Sequence, residues 1–118
     1  MKGCRILIAD GSETFRTALA EELSGFFLVE TCGNGKQTQS VIKDFNPDVL
    51  VIDLMITELD GISLLKSALN QGMQAQILAT TRYISDYVAE SMSDMGVGYL
   101  MVKPCDIHAT VDRIKDLA

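Results

Sequence analysis

The stretch Val49-Leu50-Val51-Ile52-Asp53 decides the fold. An unbroken apolar run ending in an acid reads as a strand buried on both faces, which argues for a parallel sheet. A carboxylate at the carboxyl end of such a strand stands where open α/β sheets place their chemistry. Two other apolar runs end in polar groups of the same kind. Asp10 follows Arg5-Ile6-Leu7-Ile8-Ala9, and Lys103-Pro104 follows Leu100-Met101-Val102. Two carboxylates and an ammonium at three strand ends are the strongest functional signal in the chain.

Working outward, apolar runs alternate with segments of helical period. Cys4–Ala9 reads as strand one. Ser12 caps a helix carrying Phe15, Ala18, Leu19 and Leu23 on one face, closed by Gly25. Phe27–Cys32 is strand two, followed by a Gly33-Asn34-Gly35 turn. Thr38, Val41, Ile42 and Phe45 mark helix two, stopped by Asn46-Pro47. Asp48–Asp53 is strand three; Ile62, Leu65, Ala68 and Leu69 mark a helix ending near Gly72. Gln76–Thr80 is strand four; Ile84, Val88, Met92 and Met95 mark a helix closed by Gly96. Gly98–Val102 is strand five; Ile107, Val111, Ile114 and Leu117 mark the last helix. Such a (βα)5 string predicts an α/β, flavodoxin-like, doubly wound parallel sheet of order 2-1-3-4-5. Its switch point lies between strands one and three, which brings Asp10 and Asp53 to one crevice.

The chain has 118 residues, enough for one domain with a full core. With 47% hydrophobic and 22% charged residues it has the composition of a globular protein. The net charge of −6 argues against this segment gripping nucleic acid or an anionic membrane itself. Cys4, Cys32 and Cys105 lack metal-ligand spacing and read as reduced thiols. With no secretory leader and no apolar run of membrane-spanning length, a soluble, cytoplasmic chain is expected. The methionines, Met92 and Met95 above all, read as core, and His108 as a surface residue without a role.

The landmarks Ile8-Ala9-Asp10, Asp48–Asp53, Asp60-Gly61, Gly96 and Lys103-Pro104 together resemble the CheY-like receiver domain of two-component and phosphorelay response regulators. The resemblance covers residues 1–118, as a whole protein or as the N-terminal part of a longer regulator. Asn46-Pro47-Asp48 and the loop around Gly33-Asn34-Gly35-Lys36 look most like the sporulation-initiator branch. The resemblance implies a phosphoprotein rather than an enzyme, with at most self-phosphorylation and self-dephosphorylation chemistry. A histidine kinase or phosphotransfer protein donates the phosphoryl group to Asp53. Mg²⁺ is held by Asp10, Asp53 and the main-chain carbonyl of Met55. Lys103 contacts the phosphoryl oxygens, and its bond to Pro104 is cis. The switch hydroxyl lies 22 positions before that lysine, which selects Thr81 over Thr80. Tyr99, Leu100, Ile84 and Tyr87 lie on the face such domains use for docking or homodimers. Control of transcription, with DNA bound only through a C-terminal domain, and no membrane partner complete what the likeness implies.

Four positions depart from that pattern. Gly11 replaces a carboxylate that binds the metal directly, so Mg²⁺ binding is expected to be weak or conditional, with water or Glu13 filling the gap. Thr57 stands where proline is usual. Arg82 replaces a small residue and is expected to narrow access to Asp53 or to serve as a charge surrogate for the metal. Leu100 replaces the rotating aromatic, and its neighbour Tyr99 points to the opposite face of a regular strand. These departures leave an alternative open: a phosphorylation-independent pseudo-receiver that dimerises or docks. Other α/β readings are weaker. No glycine-rich dinucleotide fingerprint and no Walker lysine occur. A dehalogenase-like phosphatase needs a second aspartate where Met55 stands, and Asp10-Gly11-Ser12-Glu13 is too acidic for a flavin phosphate loop.

Overall fold

A computed structural model describes residues 3–118. Five parallel strands form one sheet of order β2-β1-β3-β4-β5, the flavodoxin-like arrangement expected. The strands are β1 (Arg5–Ala9), β2 (Leu28–Cys32), β3 (Val49–Asp53), β4 (Gln76–Thr81) and β5 (Tyr99–Val102). The helices that follow them are α1 (Glu13–Leu23), α2 (Gly35–Phe45), α3 (Gly61–Asn70), α4 (Asp86–Asp94) and α5 (Ile107–Leu117). Among the described residues no helix is long and apolar enough to cross a membrane.

Period-two alternation splits the core into two layers. Ile6, Ile8, Val49, Val51 and Leu78 pack with Leu19, Leu23, Val111 and Ile114, beneath α1 and α5. Leu7, Leu50, Ile52, Ile77 and Ala79 pack with Ile62, Leu65 and Met92, beneath α3 and α4, with Val41 and Ile42 of α2 at the margin. The central run Val49–Ile52 is buried at every residue, because helices cover both faces of β3.

The helices begin at capping residues. The Ser12 hydroxyl accepts from Phe15 N at 3.2 Å, and Asn34 Oδ1 from Gln37 N at 2.8 Å. Asp60, Ser85 and Asp106 do the same for α3, α4 and α5. Three local expectations need correction. Helix α1 ends on Ser24 as its C-cap, and Gly25 has no left-handed backbone, so it does not close the helix. Asn34 caps α2 and Gly35 is its first residue, so the expected turn there is a helix entry. Ile84 precedes Ser85, the α4 cap, and lies exposed outside that helix. Strand ends also shift by one residue: Cys4, Phe27, Asp48 and Gly98 fall just outside β1, β2, β3 and β5, while Thr81 joins β4.

One glycine fixes the loop that carries the site. A Cβ on Gly61 would lie 2.7 Å from the Leu54 Cα, so only glycine lets α3 start against the residue after Asp53.

Candidate functional site

The carboxyl ends of β1 and β3 meet at the switch point, and Lys103 reaches in from the end of β5. Ser12 N donates to Asp10 Oδ1 at 2.8 Å, which leaves Oδ2 facing the crevice. Lys103 Nζ lies 2.6 Å from that oxygen and 3.5 Å from Asp53 Oδ2. Asp53 Oδ1 accepts from Met55 N at 2.9 Å, which ties the β3–α3 loop to the acid. The ammonium thus bridges two carboxylates, one 2% exposed, and is itself 14% exposed. Its open side faces the Phe15 ring, with Nζ 4.5 Å from the centroid. The Lys103–Pro104 peptide is cis. A groove of about 520 Å³, lined by Ser12, Phe15, Arg82, Tyr83 and Lys103, opens beside this cluster.

The remaining singled-out residues are placed as follows. Thr81 is buried, and its hydroxyl is engaged by the β4–α4 loop: it donates to the Tyr83 carbonyl at 3.0 Å and accepts from Tyr83 N at 3.3 Å. Arg82 is exposed on the groove wall and forms no ion pair with either acid; the cation between them is Lys103. The reason is reach and direction. Lys103 reaches both acids from the end of β5, two strands from β3, whereas Arg82 follows β4 into the loop and lies on the groove wall. Leu100 packs in the layer of α3 and α4, and Tyr99 in the layer of α5. The Tyr99 hydroxyl lies 3.0 Å from Asp116 Oδ2, and Arg113 sits over its ring at 5.3 Å. That hydrogen bond, with burial second, raises the phenol above its ordinary value. Ile84 and Tyr87 are exposed, and so is Tyr83 beside them.

Mg²⁺ takes hard oxygens and keeps several waters. Asp10, Asp53 and the Met55 carbonyl are such donors, so their chemistry suits a loosely held ion. Among the described residues, no three His, Cys, Asp or Glu side chains gather as a metal cluster. Glu13 lies exposed at the start of α1.

Sequence reasoning missed two supporting side chains. Phe15 was assigned to the helix face, yet its ring also covers Lys103. Arg16 Nη1 donates to the Asp10 carbonyl at 2.7 Å, fixing the turn that presents the acid. An aromatic and a guanidinium one turn beyond a strand-end acid were the available signal.

Comparison with known proteins agrees with this geometry. The family model described as the response regulator receiver domain matches residues 6–115. The probable C4-dicarboxylate response regulator DctR of Halalkalibacterium halodurans is 28% identical over 95 residues, 80% of this chain and 40% of that protein. The matched stretch is thus less than half of that relative's length. The receiver domain of Francisella response regulator 1452 is 25% identical with a TM-score of 0.86, over 97% of this chain and 95% of that one. A CheY-like receiver domain protein from Methanospirillum hungatei has a TM-score of 0.89 at 19% identity, over 98% and 93% of the two chains, a likeness of fold. These matches lend no support to the narrower likeness to the sporulation-initiator branch.

Proposed function

The chain belongs to the response regulator receiver domain family, and from that premise we propose that it is a phosphoryl-accepting switch whose acceptor is Asp53. Modules of this family serve signal transduction rather than act as enzymes in their own right. The observation that carries the reading is the Asp10–Lys103–Asp53 cluster, with Lys103 Nζ 2.6 and 3.5 Å from the two acids.

The chemistry asks for alignment and charge neutralisation rather than for a strong base. A histidine kinase or phosphotransfer protein brings the phosphoryl group, and an Asp53 carboxylate oxygen attacks phosphorus as the donor bond breaks. Lys103 turns from Asp10 toward the new phosphoryl oxygens. Thr81 gives up the Tyr83 carbonyl to reach the same oxygens, and the β4–α4 loop follows it. Asp10, Asp53 and the Met55 carbonyl would hold Mg²⁺, weakly or conditionally, because Gly11 offers no carboxylate. When bound, Mg²⁺ supplies positive charge against the phosphoryl oxygens.

The altered surface is Ile84, Tyr87, Tyr99 and Leu100, which would then favour an effector or a second copy. With Tyr99 tethered to Asp116, the signal runs from Thr81 through Tyr83 to Ile84 and Tyr87 rather than through a rotating strand aromatic. Residues 1–118 are one receiver domain in this reading, acting in the cytoplasm. Control of transcription would go through a C-terminal DNA-binding domain outside this sequence.

A second reading is favoured by one observation. Lys103 already occupies the crevice between the acids, as in a phosphate-independent pseudo-receiver that only docks or dimerises. Intact mass after incubation with Mg²⁺ and a small phosphodonor separates the two. One phosphoryl adduct, absent from Asp53→Asn, supports the switch. No adduct from a small donor or from a phosphorylated phosphotransfer protein leaves the docking module.

A further inference from the structure

Four threonines are buried: Thr38, Thr80, Thr81 and Thr110. Three donate to main-chain carbonyls, Thr38 to Asn34 at 2.7 Å, Thr81 to Tyr83 at 3.0 Å and Thr110 to Asp106 at 2.8 Å. Thr80, 0% exposed, does not. Its hydroxyl is the one buried side-chain polar atom without a hydrogen-bond partner among the described residues. A buried hydroxyl left unpaired is destabilising, and such a group calls for an explanation. Valine would fill much the same shape without that penalty.

The place of Thr80 in the sheet supplies the explanation. Its in-register partners are Asp53 on β3 and Met101 on β5. In-register residues of parallel strands project to the same face, with strands about 4.8 Å apart. Val51 and Leu78, two residues before Asp53 and Thr80, both pack beneath α1 and α5, which identifies that face. The Met101 thioether is a weak acceptor, whereas the Asp53 carboxylate is a strong one with lone pairs to spare. Its Oδ1 takes one main-chain N–H at 2.9 Å, and its Oδ2 has only Lys103 at 3.5 Å. Rotation about χ1 moves a threonine hydroxyl between staggered positions.

We propose that Thr80 is a positioning residue of the phosphoacceptor, whose hydroxyl donates to the Asp53 carboxyl oxygen as that carboxylate becomes a leaving group. The proposal rests on Asp53 being the acceptor. In hydrolysis a water oxygen attacks phosphorus and the bond from phosphorus to the Asp53 oxygen breaks. The bonding pair returns to the carboxylate, inorganic phosphate leaves with the water oxygen, and one proton goes to solvent. Negative charge therefore grows on the Asp53 oxygen beside Thr80. A donor unpaired in the resting protein but paired in the transition state speeds the step. Thr80 thereby shortens the life of the phosphorylated state, separately from Thr81, whose hydroxyl serves the loop.

The test uses the full chain loaded with acetyl phosphate and Mg²⁺, freed of donor, with decay of the adduct followed by intact mass. Thr80→Val lengthens the half-life roughly three- to tenfold, the effect of one net hydrogen bond. Thr80→Ser keeps the hydroxyl and stays within about twofold of the unaltered protein. Thr80→Val melts no lower than the parent, since the unpaired hydroxyl is gone; Thr80→Ala gives the same comparison of half-lives should valine not fold. An unchanged half-life in the valine variant, or an equal lengthening in the serine variant, overturns the role of Thr80 and leaves Asp53 as acceptor. No adduct on the unaltered chain, from acetyl phosphate or from a phosphorylated phosphotransfer protein, overturns both.

Discussion

Replacing Lys103 by glutamine removes the cation between two acids and tests the electrostatics of the site. At 2.6 Å and an effective dielectric constant of about 20, the Lys103–Asp10 attraction is roughly 6 kcal/mol before desolvation. Desolvation of both ions cancels much of this, and truncating one partner of a fully buried pair costs about 3–5 kcal/mol. Asp10 is 2% exposed and would keep only the Ser12 N–H as a donor, whereas Lys103 is 14% exposed at the edge of an open groove. Solvent entering from the groove lowers the expected loss to about 2–3 kcal/mol. Urea unfolding in metal-free buffer measures it. Adding Mg²⁺ should restore part of the loss, because the freed acids then take the ion. Asp10→Asn in the Lys103→Gln background should also recover stability by removing the stranded charge. A single variant within about 0.5 kcal/mol of the parent would refute this electrostatic account. So would a double variant no more stable than the single.

Three further expectations follow from particular residues. Gly11→Asp has room, since a Cβ there meets only the Gly33 carbonyl oxygen at 3.9 Å; a direct carboxylate ligand should tighten Mg²⁺ binding roughly tenfold or more in calorimetry. Glu58 holds φ at 73° in the loop after Asp53, so Glu58→Gly should raise stability by about 0.5–1 kcal/mol in a chemical melt. The Tyr99 phenol is raised by its hydrogen bond to Asp116. Its contribution is therefore full below the ordinary tyrosine range and is lost as pH rises through the raised value. Phenolate absorbance of the parent against Tyr99→Phe, with and without Asp116→Asn, should show that titration move down when the acceptor is neutralised.

The architecture was legible because β3 had no exposed face to disguise it: Val49–Ile52 is buried at every position. The meeting of Asp10 and Asp53 followed from topology, since β1 and β3 flank the switch point, whereas Lys103 at the end of β5 was placed there by the family resemblance. Local period was a weaker guide at helix ends. Ile84 fits the apolar spacing of α4, yet Ser85 caps the helix by accepting from the Val88 amide, which leaves Ile84 outside it. Gly25 looked like a terminator, but the chain turns at Ser24 without a left-handed residue. Spacing and resemblance placed Lys103 at the acids but left Arg82 open as a second cation there. Lys103 and Arg82 both leave strand ends at the crevice, and only the direction of each departure separates them. Thr80 was set aside for Thr81 by family spacing. Its unpaired hydroxyl is a three-dimensional property that no pattern of residues reports.

The central claim is that Asp53 carries the phosphoryl group, and chemical trapping locates it. Borohydride reduces an aspartyl phosphate to homoserine, which survives digestion. The chain would be incubated with Mg²⁺ and acetyl phosphate, reduced, digested and read by peptide mass. Homoserine in place of Asp53, and nowhere else, is the predicted result. Homoserine at Asp10 or another acid, or unmodified Asp53 in a chain that has gained phosphate mass, would contradict the account.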